Sequence, residues 1–371
     1  MVPHDQLSYL DYNATTPVLP EVAEAVTAEL HRYGNPSSVH AVGRRARAAV
    51  EEARDAVAAI VNASAQHVVF TSGGTEANAL ALRGLAKAGN CSVVLASAVE
   101  HPSVLAHVAE EHRIPVDSNG VIDLQALERA LQAHASPVLI SLMLANNETG
   151  AVQPVAQAAE LARKYGARIH CDAVQAVGKI AVDIRSLGVD SLSLSAHKFG
   201  GIKGIGALIL RGGVDLAADM LGGGQERRRR AGTENVPGII GFGAAARAVP
   251  KLLTDAVRVA GLRDHLESVI KAQAKIFAQG IERLGNTSCI SLAGVSSETQ
   301  VMRLDLAGVA VSAGSACSSG KIAPSHVLLA MGVDPAEAKS AIRVSLGWGT
   351  TEKDIARFLE AWRPLASNAA A

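Results

Sequence analysis

Aromatic residues make up only 3% of the 371-residue chain, although 49% of it is hydrophobic. Its core must therefore be built from Ala, Val, Leu and Ile. Excess charge is also missing: 35 Lys and Arg balance 35 Asp and Glu, which argues against a dedicated nucleic-acid or membrane-surface protein. No apolar run approaches a membrane span. The first residues, MVPHDQLSYL, lack the basic-then-apolar pattern of a signal peptide, so a cytoplasmic protein is expected. Cysteine is scarce: Cys91, Cys171, Cys289 and Cys317 are far apart and form no CxxC pair. A structural zinc site and a disulfide framework are both disfavoured, and no metal ligand is assigned. At least one thiol is left available for chemistry.

What is present is a repeated alternation of strand, small-residue turn and helix. Val68–Phe70 leads into Thr71-Ser72-Gly73-Gly74-Thr75-Glu76 and a helical ANALALRGLAKAG. Such a turn lets backbone N–H groups and a helix dipole face an anion, or it is an ordinary connection; no Walker loop or GxGxxG is present. SVVLAS precedes Glu100-His101-Pro102-Ser103. PVLISLML, a run suited to a strand buried on both faces, ends in Asn146-Asn147-Glu148-Thr149-Gly150. Ala167–His170 leads to Cys171-Asp172-Ala173-Val174-Gln175. In VDSLSLSAHKFGG, Leu192 and Leu194 alternate with serines, the period of a strand with one apolar face.

That last strand delivers Lys198 to a glycine-rich turn. Read alone, Lys198 is either a solvated lysine opening a loop or an amine that burial makes neutral and able to form a Schiff base with an aldehyde. The alternation predicts a mainly parallel sheet with helices on both faces. The strand ends then bring Thr75, His101, Asn147, Asp172, Gln175, Ser195, His197 and Lys198 to one crevice. Arg227–Arg230 reads as a solvated or interface loop. A composition change near Ala256 marks a boundary, followed by a long helix whose apolar positions recur from Leu262 to Leu284, stopped by Gly285. Gly314-Ser315-Ala316-Cys317-Ser318-Ser319-Gly320 is the small-residue setting of a reactive cysteine. Arg343, inside the apolar AIRVSLGW, needs an anionic partner.

The segments LDYNATTP, NPSSVH, TSGGTEANA, EHPSV, NNETG, DAVQAVGK, SLSAHKFGG, RAGTEN, GSACSSG, PSHVLLAMG and IRVSLG occur in this order along nearly the whole chain. In them the sequence resembles the pyridoxal-phosphate cysteine desulfurases of the class V aminotransferase group, most of all their NifS-like, nitrogen-fixation branch. Ala79, where a second Asn is common, is a small departure.

The resemblance implies an α/β protein of PLP-dependent transferase fold type I. A large domain, residues 15–255, would carry a mainly parallel seven-stranded sheet. Residues 1–14 and 256–371 would form a smaller α+β domain bearing the catalytic-cysteine loop. It implies a homodimer with pyridoxal 5'-phosphate as cofactor and the following roles. Lys198 holds the cofactor covalently and then removes the substrate Cα proton. Asp172 pairs with the pyridine nitrogen, Gln175 reaches the phenolic oxygen, and His101 stacks on the ring and handles protons. Gly74, Thr75, Ser195 and His197 bind the phosphate, with Thr233 from a second subunit. Asn147, Arg343 and Asn35 are the candidates for the substrate carboxylate. Cys317 takes sulfur from L-cysteine as a persulfide, leaving L-alanine, and passes it to an iron–sulfur scaffold protein, with nitrogenase maturation as the expected destination. The alternatives are a selenocysteine lyase or an aminotransferase on the same scaffold. A non-catalytic sulfur-binding protein is disfavoured by the intact Lys198, Asp172, His101, Cys317 and Arg343.

Overall fold

The computed structural model of the chain describes residues 7–314 and 324–369. Its main sheet has seven strands, in the order Val68–Thr71, Gly206–Leu210, Ser191–Ser195, Arg168–Asp172, Val138–Ser141, Val93–Ser97, Arg113–Ile114. The last five pair in parallel, and Gly206–Leu210 runs antiparallel to both of its neighbours. Two successive reversals restore direction. The turn after Thr71 therefore opens on the same rim as the carboxyl ends of the parallel strands.

Every residue of Val138–Ser141 is buried, as a run with apolar side chains on both faces requires. In Ser191–Ser195 the apolar face expected from Leu192 and Leu194 is buried, and so are the three serines. Helices cover both sides of the sheet, and the serines lie under them. Ser191 pairs there with the imidazole of His170, and Ser195 faces a cavity.

The boundary expected near residue 256 falls inside one helix, Val236–Ile270, with Pro250 within it. Its first half packs with Phe70, Phe199 and Val57 in the core of the large sheet. Its second half, through Val259, Leu262, Leu266 and Ile270, belongs to a second core with Leu10, Ile342, Phe358 and Trp362. Close approach explains Gly243: a Cβ there would lie 2.7 Å from the Ala53 Cβ of the neighbouring helix Ala41–Ala59. Contrary to the sequence reading, this helix is long and apolar enough to cross a bilayer, but 56% of its apolar window is buried within the protein. The expected continuation to Leu284 does not form. The chain leaves the helix at Ile270, makes the short strand Lys275–Ile276, and turns through left-handed Ala278 and Gly280.

The second core sits on an antiparallel four-stranded sheet, Ser312–Ala313, Ala341–Ser345, Thr287–Ser291 and Lys275–Ile276. At the other end of the chain, Ser8–Tyr9 pairs in parallel with Val309–Ala310. This sends Leu10 into the second core and delivers Asp11–Thr16 to the cleft between the two sheets.

Candidate active site

A cavity of 230 Å³ opens over the rim of the large sheet. Nine of the expected residues line it: Gly74, Thr75, His101, Asn147, Asp172, Gln175, Ser195, His197 and Lys198. Each comes from the carboxyl end of a strand or from the segment that follows one, which is why residues up to 124 positions apart meet in one place.

Lys198 closes a single turn after Ser191–Ser195. Its Nζ donates to the carbonyls of Asn13 (2.6 Å) and Ala14 (2.9 Å). Asp172 ends the neighbouring strand, and its carboxylate accepts from Asn78 Nδ2 (2.7 Å) and from the Val174 N–H (2.9 Å). Asn78 Oδ1 meets His170 Nε2 at 3.1 Å, and His170 Nδ1 meets Ser191 Oγ at 2.7 Å. Burial pushes the His170 pKa down to about 4 against the pull of Asp172. The neutral ring therefore donates from Nε2 and accepts at Nδ1. This orders the side chains into a chain ending on Asp172.

His101 caps the short helix Pro102–Leu105, its Nδ1 accepting from the Ser103 N–H at 3.1 Å. Its pKa is lowered by burial, then by Lys198 and His326, while Asp172 opposes them. With Nδ1 occupied as an acceptor, the neutral ring carries its proton on Nε2. Glu100 beside it is fully buried and accepts from the Met143 N–H. Burial, followed by Asp172, raises its pKa well above the ordinary carboxylate range.

The opposite wall is built for an anion. Gly74 opens a fifteen-residue helix, Gly74–Ala88, whose first N–H groups have no intrahelical acceptors. A Cβ on Gly74 would lie 2.9 Å from Val174 Cγ2, so only glycine leaves this corner open. Thr75, Ser195 and His197 supply further donors. The His197 pKa is pushed down to about 4 by burial, then by Lys198 and Lys203.

Residues 8–358 match the class-V aminotransferase family. A cysteine desulfurase of Cereibacter sphaeroides is 47% identical over 371 residues, covering 96% of this chain and 95% of its own. The X-ray structure of a NifS-like protein from Rickettsia africae superposes with a TM-score of 0.89 at 34% identity, covering 97% of this chain and 99% of that one. A structure described as SspA in complex with cysteine superposes with a TM-score of 0.79 at 30% identity, covering 91% and 98%. The chain belongs to the class-V aminotransferase family.

Members of this desulfurase group of class-V enzymes depend on pyridoxal 5'-phosphate, and the cavity fits that group. It offers an amine for the aldehyde, a buried carboxylate on the floor and a glycine-opened helix start for the phosphate.

Arg343, Thr233 and Asn35 do not line this cavity. Arg343 is buried behind the cavity, its Nη2 on Asp11 Oδ1 (2.7 Å) and its Nη1 on the Asn147 carbonyl (3.0 Å). The anionic partner that its burial requires is thus Asp11. Gln175 lines the cavity, but its amide bridges the Asn13 carbonyl (2.9 Å) and Lys179 Nζ (2.6 Å). Thr233 lines a separate cavity of 170 Å³ with Phe70, Ser72 and Glu226. Asn35 is exposed in a turn, where its Oδ1 accepts from the Ser37 N–H, and it does not reach the cavity. Cys317 lies outside the described residues.

Sequence reasoning missed Asn78, His170 and Ser103. Asn78 could have been found from its place one helical turn after Thr75, which puts both on one face. Nothing in the sequence indicated His170 or Ser103.

Proposed function

We propose that the protein is a pyridoxal-phosphate-dependent cysteine desulfurase that converts L-cysteine to L-alanine and receives the sulfur on Cys317 as a persulfide. The placement of Lys198 and Asp172 at the ends of adjacent strands, in one cavity with a helix start for the phosphate, carries this reading. The desulfurase relatives and the cysteine complex of SspA support the choice of substrate.

When bound, pyridoxal phosphate supplies an electron sink that acidifies the substrate Cα–H. Lys198 would hold the cofactor through its amine and, as a free amine, would take the substrate Cα proton. Asp172, held by Asn78 and Val174, keeps the pyridine nitrogen protonated. Gly74, Thr75, Ser195 and His197 bind the phosphate. Asn147 and Arg343 orient the substrate carboxylate, and Arg343 shares its guanidinium with Asp11 while doing so. His101, neutral with its proton on Nε2, moves a proton between the substrate thiol and solvent. The Cys317 thiolate attacks the substrate sulfur: the Cβ–S bond breaks, an S–S bond forms, and Cβ gains a proton. Cysteine plus one thiol thus gives alanine plus one persulfide, with no external oxidant.

Our reading includes a homodimer in which Thr233 completes the phosphate site of a second copy. Arg230, near Thr233, is tied to Glu76 in the phosphate turn at 2.8 Å, which suits a loop presented outward from that turn. The sulfur acceptor in this reading is an iron–sulfur scaffold protein in the cytoplasm, with nitrogenase maturation one use of the sulfur.

The test is an absorption spectrum of the purified protein before and after adding L-cysteine, with alanine and sulfide assayed under reductant. A visible cofactor band that changes with cysteine, accompanied by equimolar alanine and sulfide, is expected. A band with amino-group transfer but no sulfide would overturn the desulfurase reading in favour of an aminotransferase.

A further inference from the structure

Asn13 belongs to the LDYNATTP segment and has no part in the chemistry above, yet every one of its polar atoms is engaged. It is 1% exposed. Its carbonyl accepts from Lys198 Nζ (2.6 Å) and Gln175 Nε2 (2.9 Å). Its Oδ1 accepts from Lys179 Nζ (2.8 Å) and Asn286 Nδ2 (3.0 Å). Its Nδ2 donates to Thr287 Oγ1 (2.9 Å) and to the Asn147 carbonyl (3.1 Å). Its N–H donates to Ser345 Oγ at 3.0 Å.

These partners come from both sheets. Lys198, Gln175 and Asn147 belong to the rim of the large one, and Thr287 and Ser345 to strands of the small one. The Asn147 carbonyl that Asn13 holds is also the acceptor of Arg343 Nη1. One buried residue thus joins two parts of the site: its backbone carbonyl holds the Lys198 amine, and its side-chain amide, which fixes that backbone in place, holds the Asn147 carbonyl to which Arg343 also bonds.

Lys179 explains how that amide is oriented. Its Nζ donates to Asn13 Oδ1 and to Gln175 Oε1, so the oxygens of both amides face it. Their NH2 groups are thereby aimed at Asn147 and Thr287, and at the Asn13 carbonyl. Both acceptors of Lys179 are neutral amides, and no carboxylate lies within ion-pair distance of it among the described residues. Burial, then Lys198, then Arg343 push its pKa well below that of an ordinary lysine. A small second cavity is shared by Lys179, Lys198 and Asp255, but Asp255 is already paired with Arg258 (2.7 Å).

We propose that Asn13 is a positioning residue of the reaction, which with Lys179 fixes the Lys198 amine relative to Asn147 and Arg343. A substrate held by its carboxylate then presents its Cα–H to Lys198. This rests on the reading of Lys198 and of the carboxylate binders given above. Orientation of this kind controls rate strongly, since a displacement of about 1 Å can cost on the order of 10²-fold.

Two measurements test the proposal on Asn13→Ala and Lys179→Met. In the first, pyridoxal phosphate is added to cofactor-free protein and the growth of the visible band is timed, without cysteine. Both variants are expected to capture the cofactor about tenfold more slowly, because Lys198 is less well aimed. In the second, the loaded proteins are compared for KM and kcat with L-cysteine per bound cofactor. Asn13→Ala is expected to raise KM and lower kcat, with kcat/KM down on the order of 10²-fold, and Lys179→Met to move both in the same direction. A purely structural role would lower the folded fraction and leave KM and the capture rate per folded chain unchanged; that result overturns the proposal. Should Asn13→Ala fail to fold, Lys179→Met carries the test by itself, and an unchanged capture rate and KM in it would be decisive against the idea. A wild-type protein that shows no band would overturn the Lys198 reading and this proposal together. A wild-type band without alanine would overturn the substrate reading only, because capture is timed without cysteine.

Discussion

Asn78 Nδ2 donates to Asp172 Oδ2 at 2.7 Å while its Oδ1 faces His170 Nε2 at 3.1 Å. The floor of the cavity is therefore a chain, Ser191–His170–Asn78–Asp172, and not a lone carboxylate. Its links lie on two adjacent strands and the first turns of one helix, so its geometry is set by the sheet.

Asn78→Ala should weaken cofactor binding. A hydrogen bond to a charged group contributes about 1.5–3 kcal/mol, so a rise of roughly 10- to 100-fold in the dissociation constant for pyridoxal phosphate is expected, with the fold intact. Titration of cofactor-free protein followed by the visible band measures it. Wild-type affinity in the variant would show that Val174 alone suffices to hold Asp172.

Glu148 is buried and accepts a short hydrogen bond from Ser325 Oγ. Burial raises its pKa to about 7, with Ser325 and Arg343 pulling the other way. A folded-state pKa above the unfolded value means that the folded chain binds the proton more tightly. The contribution to stability is complete below about pH 4.5 and lost as pH rises through 7. From this group alone, wild type should lose about 3 kcal/mol between pH 4.5 and pH 8. Urea unfolding at both pH values should show a smaller difference for Glu148→Gln, and an equal difference would refute the assignment.

Arg54 and Glu226 form a buried bidentate pair (2.7 and 2.9 Å), and Glu226 also accepts from the Phe70 N–H. The pair restrains a run of left-handed backbone at Glu226, Arg227 and Arg228, with φ of 44°, 57° and 63°. Glu226→Gln leaves the buried Arg54 with only the exposed Glu51 as counter-charge (3.1 Å) and should cost about 3 kcal/mol. Replacing both residues with Met should cost clearly less. Denaturation midpoints of the two variants decide between this and a surface-like pair, for which both changes would be nearly neutral.

Cys317→Ala should abolish alanine and sulfide formation while leaving the cofactor band and its change with L-cysteine in place. Mass spectrometry of wild type after cysteine, without reductant, should find one added sulfur on Cys317. Turnover at the wild-type rate in the variant would rule out Cys317 as the acceptor.

Much of the site was legible because strand-to-helix alternation is a local pattern. Strand ends in a parallel sheet must share a rim, so His101, Asn147, Asp172 and Lys198 could be brought together before any distance was known. Secondary structure failed where tertiary packing overrode it. Leu262 to Leu284 keeps helical spacing, yet Ala278 and Gly280 turn the chain so that Lys275–Ile276 can pair with Thr287–Ser291. The alternation in Ser191–Ser195 marks one apolar face, but nothing local reports that helices cover the serine face as well.

The sequence alone determined the chemistry on offer: which amine, carboxylate, imidazole and thiol are present, and that a repeating strand–turn–helix grammar gathers most of them. Only the tertiary structure decided how those groups are held. Asp172 acquires Asn78, Arg343 acquires Asp11, and Lys198 acquires Asn13, from segments 94, 332 and 185 positions away. Hydrogen bonds between buried groups depend on angles and distances of a few tenths of an ångström. Those are settled only when both sheets have packed.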